Sequence, residues 1–171
     1  MQIKKAEGHI DVLANNAGIV SYEMMSMIDY NKLRKMFDVN VIALINITQT
    51  VARVMARQKS GSIINMASIV GLQGAKGQLS YSATKGAVNS LTKALAKELA
   101  PSGICVNAIA CGAIDTDMNS FLSDEDKLSL FEEIPAGRMG RPDEAGKLAV
   151  MLADAPSYLT GQIITLDGAW I

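Results

Sequence analysis

The sequence predicts an α/β fold in which a parallel, doubly wound sheet carries helices on both faces. Short apolar runs, "HIDVLA", "SIINMAS", "ICVNAIA" and "QIITLDG", are strand-length and bounded by turn residues. Longer segments with apolar residues at helical spacing separate them. Strands alternating with long helical segments read as strand–helix–strand crossovers, and these pair in parallel. A chain of 171 residues, 49% hydrophobic and 19% charged, has the material for one domain around one core.

The first strand, "HIDVLA", ends at a turn-forming "NNAG", residues 15–18. A helix-period segment runs from about Asn31 to Gln58, with Leu33, Met36, Phe37, Val41, Leu44, Ile45 and Ile47 near one face, and Gly61 closes it off. "SIINMAS" reads as a buried strand. The loop "GLQGAKG" then leads into a helix with Val88, Leu91, Leu95 and Leu99 on one face, ended by Pro101 and Gly103. "ICVNAIA" is the third strand and "QIITLDG" the fourth. Between them, Ser123 and Asp126 form a capping-box start and Pro142 opens a further helix.

Sixteen basic residues against seventeen acidic ones leave a net charge of −1, without the electrostatic footprint of a nucleic-acid binder. The reading expects no nucleic acid and no membrane as partners: no signal peptide and no uninterrupted apolar span is recognised. Cys105 and Cys111 match no paired metal spacing, so no metal site is expected and the cytoplasm is the default location.

Chemistry concentrates around Tyr81 and Lys85. Four residues turn a helix by about 400° and raise it about 6 Å, which leaves both side chains on one face. An ammonium beside a phenol favours the phenolate, so the Tyr81 pKa is expected to fall from about 10 towards neutrality, as suits a proton donor. Ser68 ends the strand before the glycine loop, and the loop returns to Tyr81, so both groups reach the carboxyl rim of the sheet, where open α/β sheets bind ligands. The 15–18 turn and "CGAIDTDM", residues 111–118, lie at the same rim. Taken singly, Ser68 is more often a strand-end hydroxyl and Asn40 a solvated helix residue, and Lys85 is equally a surface cation; the ordered set favours a site. His9 reads as a strand-start residue, and Met24, Met25 and Met27 as core fillers or the lip of a substrate mouth. Glycines 71, 74 and 77 read as turn residues that aim Ser68 and Tyr81.

"NNAG" at 15–18, Asn40, Ser68, Tyr81-x-x-x-Lys85 and "VNAIACGAIDTDM" at 106–118 together resemble the short-chain dehydrogenase/reductase family, and the likeness continues through "IPAGRMGRPDEAG" and "YLTGQIITLDGAW". The resemblance implies strands four to seven of that family's Rossmann-type sheet. It implies an NAD(P)-dependent oxidoreductase that reduces a ketone, a 3-oxoacyl thioester or similar, to an alcohol by hydride transfer. By position, Tyr81 is the general acid/base, Lys85 lowers its pKa and binds the nicotinamide ribose, Ser68 orients the substrate carbonyl, and Asn40 holds a water that refills the proton relay. Asn16, Ala17 and Gly18 contact the ribose side of the cofactor, while Gly112, Ile114 and Thr116 meet the nicotinamide. Residues 119–135 cover the substrate, a small carbonyl or alcohol. A homo-oligomer forms through the two long helices or the exposed first strand.

Two departures modify these expectations. No two of the fourteen glycines are separated by a single residue, so the G-x-G turn that cradles the cofactor pyrophosphate is lacking. The likeness enters at the family's fourth strand, so the pyrophosphate and adenosine sites are expected to be absent from a single, N-terminally truncated domain over 1–171, and the choice of NAD or NADP with them. A catalytically silent fragment acting only by association is the competing expectation, with turnover requiring a completed sheet. Cys111 stands where the family has proline, which is expected to loosen the turn and offer a reactive thiol.

Overall fold

The computed structural model describes residues 2–119 and 122–171. Helix α1, Gln2–Glu7, precedes the first strand, where the sequence pattern predicts none. Gly8 then reverses the chain at φ 78°, and an exposed ion pair joins His9 Nε2 to Asp11 at 2.9 Å. Strand β1 is consequently shorter than "HIDVLA" and spans Val12–Asn15.

The long helical segment has three parts: α2 (Tyr30–Phe37), a π-helical stretch (Asp38–Ile42) and α3 (Ala43–Gln58). Asp29 caps its start by accepting from the backbone N–H groups of Asn31 and Lys32. Its end is set by Lys59 in the left-handed region, not by Gly61 as expected. Gly61 opens the next strand, and a Cβ there would lie 2.5 Å from Met55 Sδ. The continuous helix Tyr30–Gln58 is long and apolar enough to cross a membrane, with a window of mean hydropathy 1.4. Here that apolarity serves packing: Leu44, Val51, Val54 and Met55 are buried in the core.

Strand β2 (Gly61–Ser68) leads into α4 (Val70–Gln73), a short helix inside the expected glycine loop. Gly74 and Gly77 are the turn residues, both at φ 75°. Gly71 has a different purpose from the one expected: a Cβ there would come within 2.6 Å of the Lys85 backbone, so its absence lets α4 press on α5. Helix α5 (Leu79–Leu99) ends in a single 3-10 turn and Gly103. There follow β3 (Ile104–Cys111), α6 (Asp124–Glu133), α7 (Pro142–Ala153) and β4 (Ile163–Leu166). The capping box at Ser123 and Asp126 and the proline start of α7 stand as predicted.

All three strand pairings are parallel, in the order β1-β2-β3-β4, and β1 is an edge among the described residues. Alternate residues divide the core between the two faces. Ile63 and Val106 pack under Val51 and Met55 of α3 and Ala96 of α5, whereas Ile64 and Ile109 pack under Leu152 of α7. This is the doubly wound α/β arrangement. A buried amide ladder crosses the first layer: Asn15 Nδ2 donates to Thr48 Oγ1 (3.0 Å) and Asn65 Oδ1 (2.8 Å), and Asn65 Nδ2 to Thr92 Oγ1 (2.9 Å). The first two strands are thus tied to both long helices by satisfied polar groups.

Candidate active site

The carboxyl ends of β2 and β3 define the site. Ser68 and Cys111 are paired in register, and Ser68 Oγ donates to the Cys111 carbonyl (3.2 Å) while accepting from Val70 N (3.4 Å). The α4 turn then carries the chain back so that Tyr81, in the first turn of α5, faces the same rim. Ser68 and Tyr81 line one cavity of about 350 Å³ with Tyr22, Gly112 and Trp170, and the Ser68 hydroxyl is near enough to favour the ionised phenol.

Lys85 lies one turn further along and only 5% exposed. Its Nζ donates to the Met66 carbonyl (2.7 Å) and stands 5.6 Å from the centroid of the Tyr81 ring. Burial lowers its pKa to about 8, against a smaller opposing effect of the Cys111 thiol. Burial likewise pushes the Tyr81 phenol up to about 12, with Tyr22 and Cys111 adding to the rise and the Ser68 hydroxyl opposing it. The expected fall of the Tyr81 pKa is therefore reversed. The ammonium is anchored to the strand carbonyl and sits over the ring, so desolvation dominates and the phenol stays protonated. A neutral phenol is still a proton donor, and only the means of sharpening its acidity differs from expectation.

Asn40 is 2% exposed in the π-helical stretch. Its Oδ1 accepts from Ile19 N (2.8 Å), and its Nδ2 donates to Ile19 O (2.9 Å) and Thr84 Oγ1 (3.1 Å). The side chain clamps the loop after β1 to the helix bearing Tyr81 and Lys85. Gly18 is held in the same clamp: a Cβ there would lie 3.5 Å from both Asn40 Oδ1 and Lys85 Nζ. Asn16 and Ala17 are exposed beside it. Gly112 lines the cavity, and a Cβ there would strike Asp167 at 2.9 Å. Ile114 and Thr116 occupy the following turn, where the Ile114 carbonyl accepts from Asn119 Nδ2 (2.7 Å) and the Thr116 hydroxyl (3.5 Å). The structure thus brings together Ser68, Tyr81, Lys85 and Gly112, with Gly18 and Asn40 behind them, and leaves Asn16, Ala17, Ile114 and Thr116 on the flanking turns.

Cys111 does not behave as expected. It is a strand residue paired on both sides, with Ser68 and Leu166, so no turn is loosened. Burial raises its thiol pKa, with Lys85 pulling less strongly the other way, so the thiol is not activated. The methionines of the 22–27 loop are neither core nor cavity wall: Met24, Met25 and Met27 are exposed. Residues 119–135 do supply cavity wall, through Asn119, Leu122, Asp126, Leu130 and Glu133; Ser120 and Phe121 of that stretch lie outside the described residues. The sequence reading missed Tyr22 and Trp170, which come from distant loops and carry no local signal. It also missed the Asn65 ladder, which an amide inside an apolar strand does signal.

A sequence profile described as Enoyl-(Acyl carrier protein) reductase matches residues 1–170. The chain is 42% identical over 163 residues to the 3-oxoacyl-(acyl-carrier-protein) reductase of Aquifex aeolicus, covering 93% of this chain and 64% of that protein. The chain belongs to the short-chain dehydrogenase/reductase family. The reductase of the same name from Thermotoga maritima is 41% identical over 165 residues, with 96% of this chain and 67% of that protein covered. Among solved structures, a gluconate 5-dehydrogenase from Burkholderia cenocepacia, in complex with NADP and tartrate, superposes with a TM-score of 0.94 at 32% identity, over 99% of this chain and 68% of that one. This short-chain dehydrogenase/reductase chain therefore spans about two thirds of the length of the relatives it matches.

Proposed function

We propose that the chain carries the substrate half of an NAD(P)-dependent oxidoreductase that reduces a ketone, such as a 3-oxoacyl thioester, to an alcohol. The observation that supports this most is that the Ser68 and Tyr81 side chains line one cavity, with a buried ammonium one helical turn behind. When bound, the nicotinamide supplies the hydride. The Ser68 hydroxyl orients the ketone oxygen, and the neutral Tyr81 phenol donates its proton as negative charge develops there. Lys85 fits a cofactor hydroxyl: among the described residues its ammonium makes one hydrogen bond, to Met66 O, and an ammonium has three donors. Asn40, through Ile19 and Thr84, positions the loop bearing Gly18, and Asn16, Ala17, Ile114 and Thr116 are the flanking groups for the cofactor. We assign Asn40 this positioning role in place of side-chain water binding, because both ends of its amide are occupied by protein. NAD and NADP are both compatible with these residues.

The proposal extends to assembly and location. A groove of about 420 Å³ between α3 and α5 is lined by Ile45, Ala52, Ala56, Leu91, Leu95 and Leu99, which suits a second copy of the same face, and the free edge of β1 is the alternative surface. A dimer by light scattering that Leu95→Arg dissociates supports the helical face; a monomeric wild type at micromolar concentration removes both. Two free cysteines, at 105 and 111, accord with a reducing cytoplasm.

The test of function is oxidation of reduced nicotinamide in the presence of a 3-oxoacyl thioester. Ketone-dependent turnover that Tyr81→Phe abolishes is expected when a second polypeptide or upstream segment completes the sheet and its pyrophosphate site. A completed wild type no faster than completed Tyr81→Phe overturns the proposal and leaves the silent, association-only reading.

A further inference from the structure

Resting on the oxidoreductase reading above, the walls of the cavity say which ketones it takes. Asp126, Leu130 and Glu133 line it from α6, spaced by four and three residues and so sharing one face of that helix. Asp126 is held ionised by the Ser123 hydroxyl (2.6 Å) and its backbone N–H (3.1 Å). Among the described residues that line the cavity there is no lysine, arginine or histidine; Lys85 lies behind Tyr81 and turns to Met66. The remaining wall mixes apolar side chains, Val20, Met118 and Trp170 among them, with the uncharged polar Gln78, Asn119 and Ser129.

We propose that the cavity selects an uncharged ketone with a hydrocarbon arm and discriminates against ketones that carry a carboxylate close to the reacting carbon. An entering carboxylate loses hydration, meets no cation and faces two like charges. A neutral 3-oxoacyl group meets neither penalty, and its methylenes gain by burial against Leu130 and Trp170. Of the two substrate kinds in the relatives' names, the 3-oxoacyl group fits and the sugar acid does not. Asp126 and Glu133 are the specificity-determining side chains.

Trp170 is the chain's single tryptophan and lines the cavity, so its fluorescence reads occupancy without cofactor or turnover. Acetoacetamide and acetoacetate are matched in shape and differ in charge. At low salt both are expected to quench Trp170, with acetoacetate about fivefold weaker, the size of two like-charge repulsions through water at cavity distances. The ratio should fall below about twofold in molar salt, and likewise in a chain carrying Glu133→Gln and Asp126→Asn, where asparagine keeps an acceptor for the Ser123 cap. Equal affinities at low salt, a ratio that neither salt nor the two substitutions moves, or no quenching by the amide each overturn the inference. Selective amide binding without nicotinamide oxidation by the completed sheet sinks the reductase reading and leaves the selectivity standing. Oxidation with both ketones at equal kcat/KM does the reverse.

Discussion

Lys85 and Arg138 carry the same charge in opposite surroundings. Arg138 is about half exposed and grips both carboxylate oxygens of Glu144, at 2.9 and 2.8 Å, beside a further pairing of Arg141 and Lys147 with Asp143. That pairing lowers the Asp143 and Glu144 pKa values to about 2. Among the described residues Lys85 is buried with a single carbonyl partner, and burial pulls its pKa the other way from Arg138, down to about 8. A cation that serves the fold is paired with acids in solvent. One that is buried and under-partnered opposes the fold, which is the pattern expected of a functional group and accords with the role proposed for Lys85.

Substitutions can break or sharpen this contrast. The largest effect is expected at Tyr81, where Tyr81→Phe removes the proton donor and should lower ketone-dependent nicotinamide oxidation by about 10²- to 10⁴-fold with the circular dichroism spectrum unchanged. Loss of less than tenfold would make Tyr81 a bystander. Next comes the satisfied polar interior, which behaves like neither cation. Asn65→Ala leaves the Asn15 amide short of one partner and Thr92 without its donor, and should cost about 2–3 kcal/mol in urea denaturation. A neutral outcome would mean the ladder is decoration. The smallest effect is expected in the exposed pairs: Glu144→Gln should move the urea midpoint less than Asn65→Ala does at neutral pH. Because the Glu144 pKa is depressed from 4.5 to about 2, its contribution is present above pH 4.5 and is lost as pH falls from there to about 2. A midpoint difference that persists unchanged at pH 2 would contradict that pairing.

The same contrast explains what could be read in advance. Strands β2 and β3, the Ser123 capping box and the Pro142 start are local patterns, and they stand in the structure where the pattern places them. Helix α1 and the Lys59 terminator were not legible, since a six-residue helix has little periodicity and a lysine at positive φ has no compositional mark. Tyr81 and Lys85 were legible as a pair on one helix face, and the ordered motifs brought Ser68 to them. Helical spacing says nothing about whether an ammonium approaches an oxygen or a ring, and burial is a property of the whole fold. For that reason the Tyr81 pKa moves opposite to the direction the spacing predicts, although Lys85 does stand beside the ring. Trp170 and Tyr22 reach the cavity from chain segments that no local pattern connects.

The Lys85 cation is held against the preference of the fold. The most direct test compares the urea stability of wild type and Lys85→Met as pH rises. Because the folded pKa of Lys85 is about 8 and the unfolded value 10.5, the wild type bears the full cost below pH 8 and sheds it between 8 and 10.5. The drop in pKa corresponds to a cost on the order of 3 kcal/mol. Allowing about 1 kcal/mol for the Met66 carbonyl losing its donor, Lys85→Met should be about 2 kcal/mol the more stable at pH 7. By pH 10.5 that advantage should be gone, with wild type ahead by up to about 1 kcal/mol, while the Tyr81 titration between 10 and 12 affects both chains alike. A methionine variant less stable than wild type at pH 7, or a difference indifferent to pH across that window, would contradict the account.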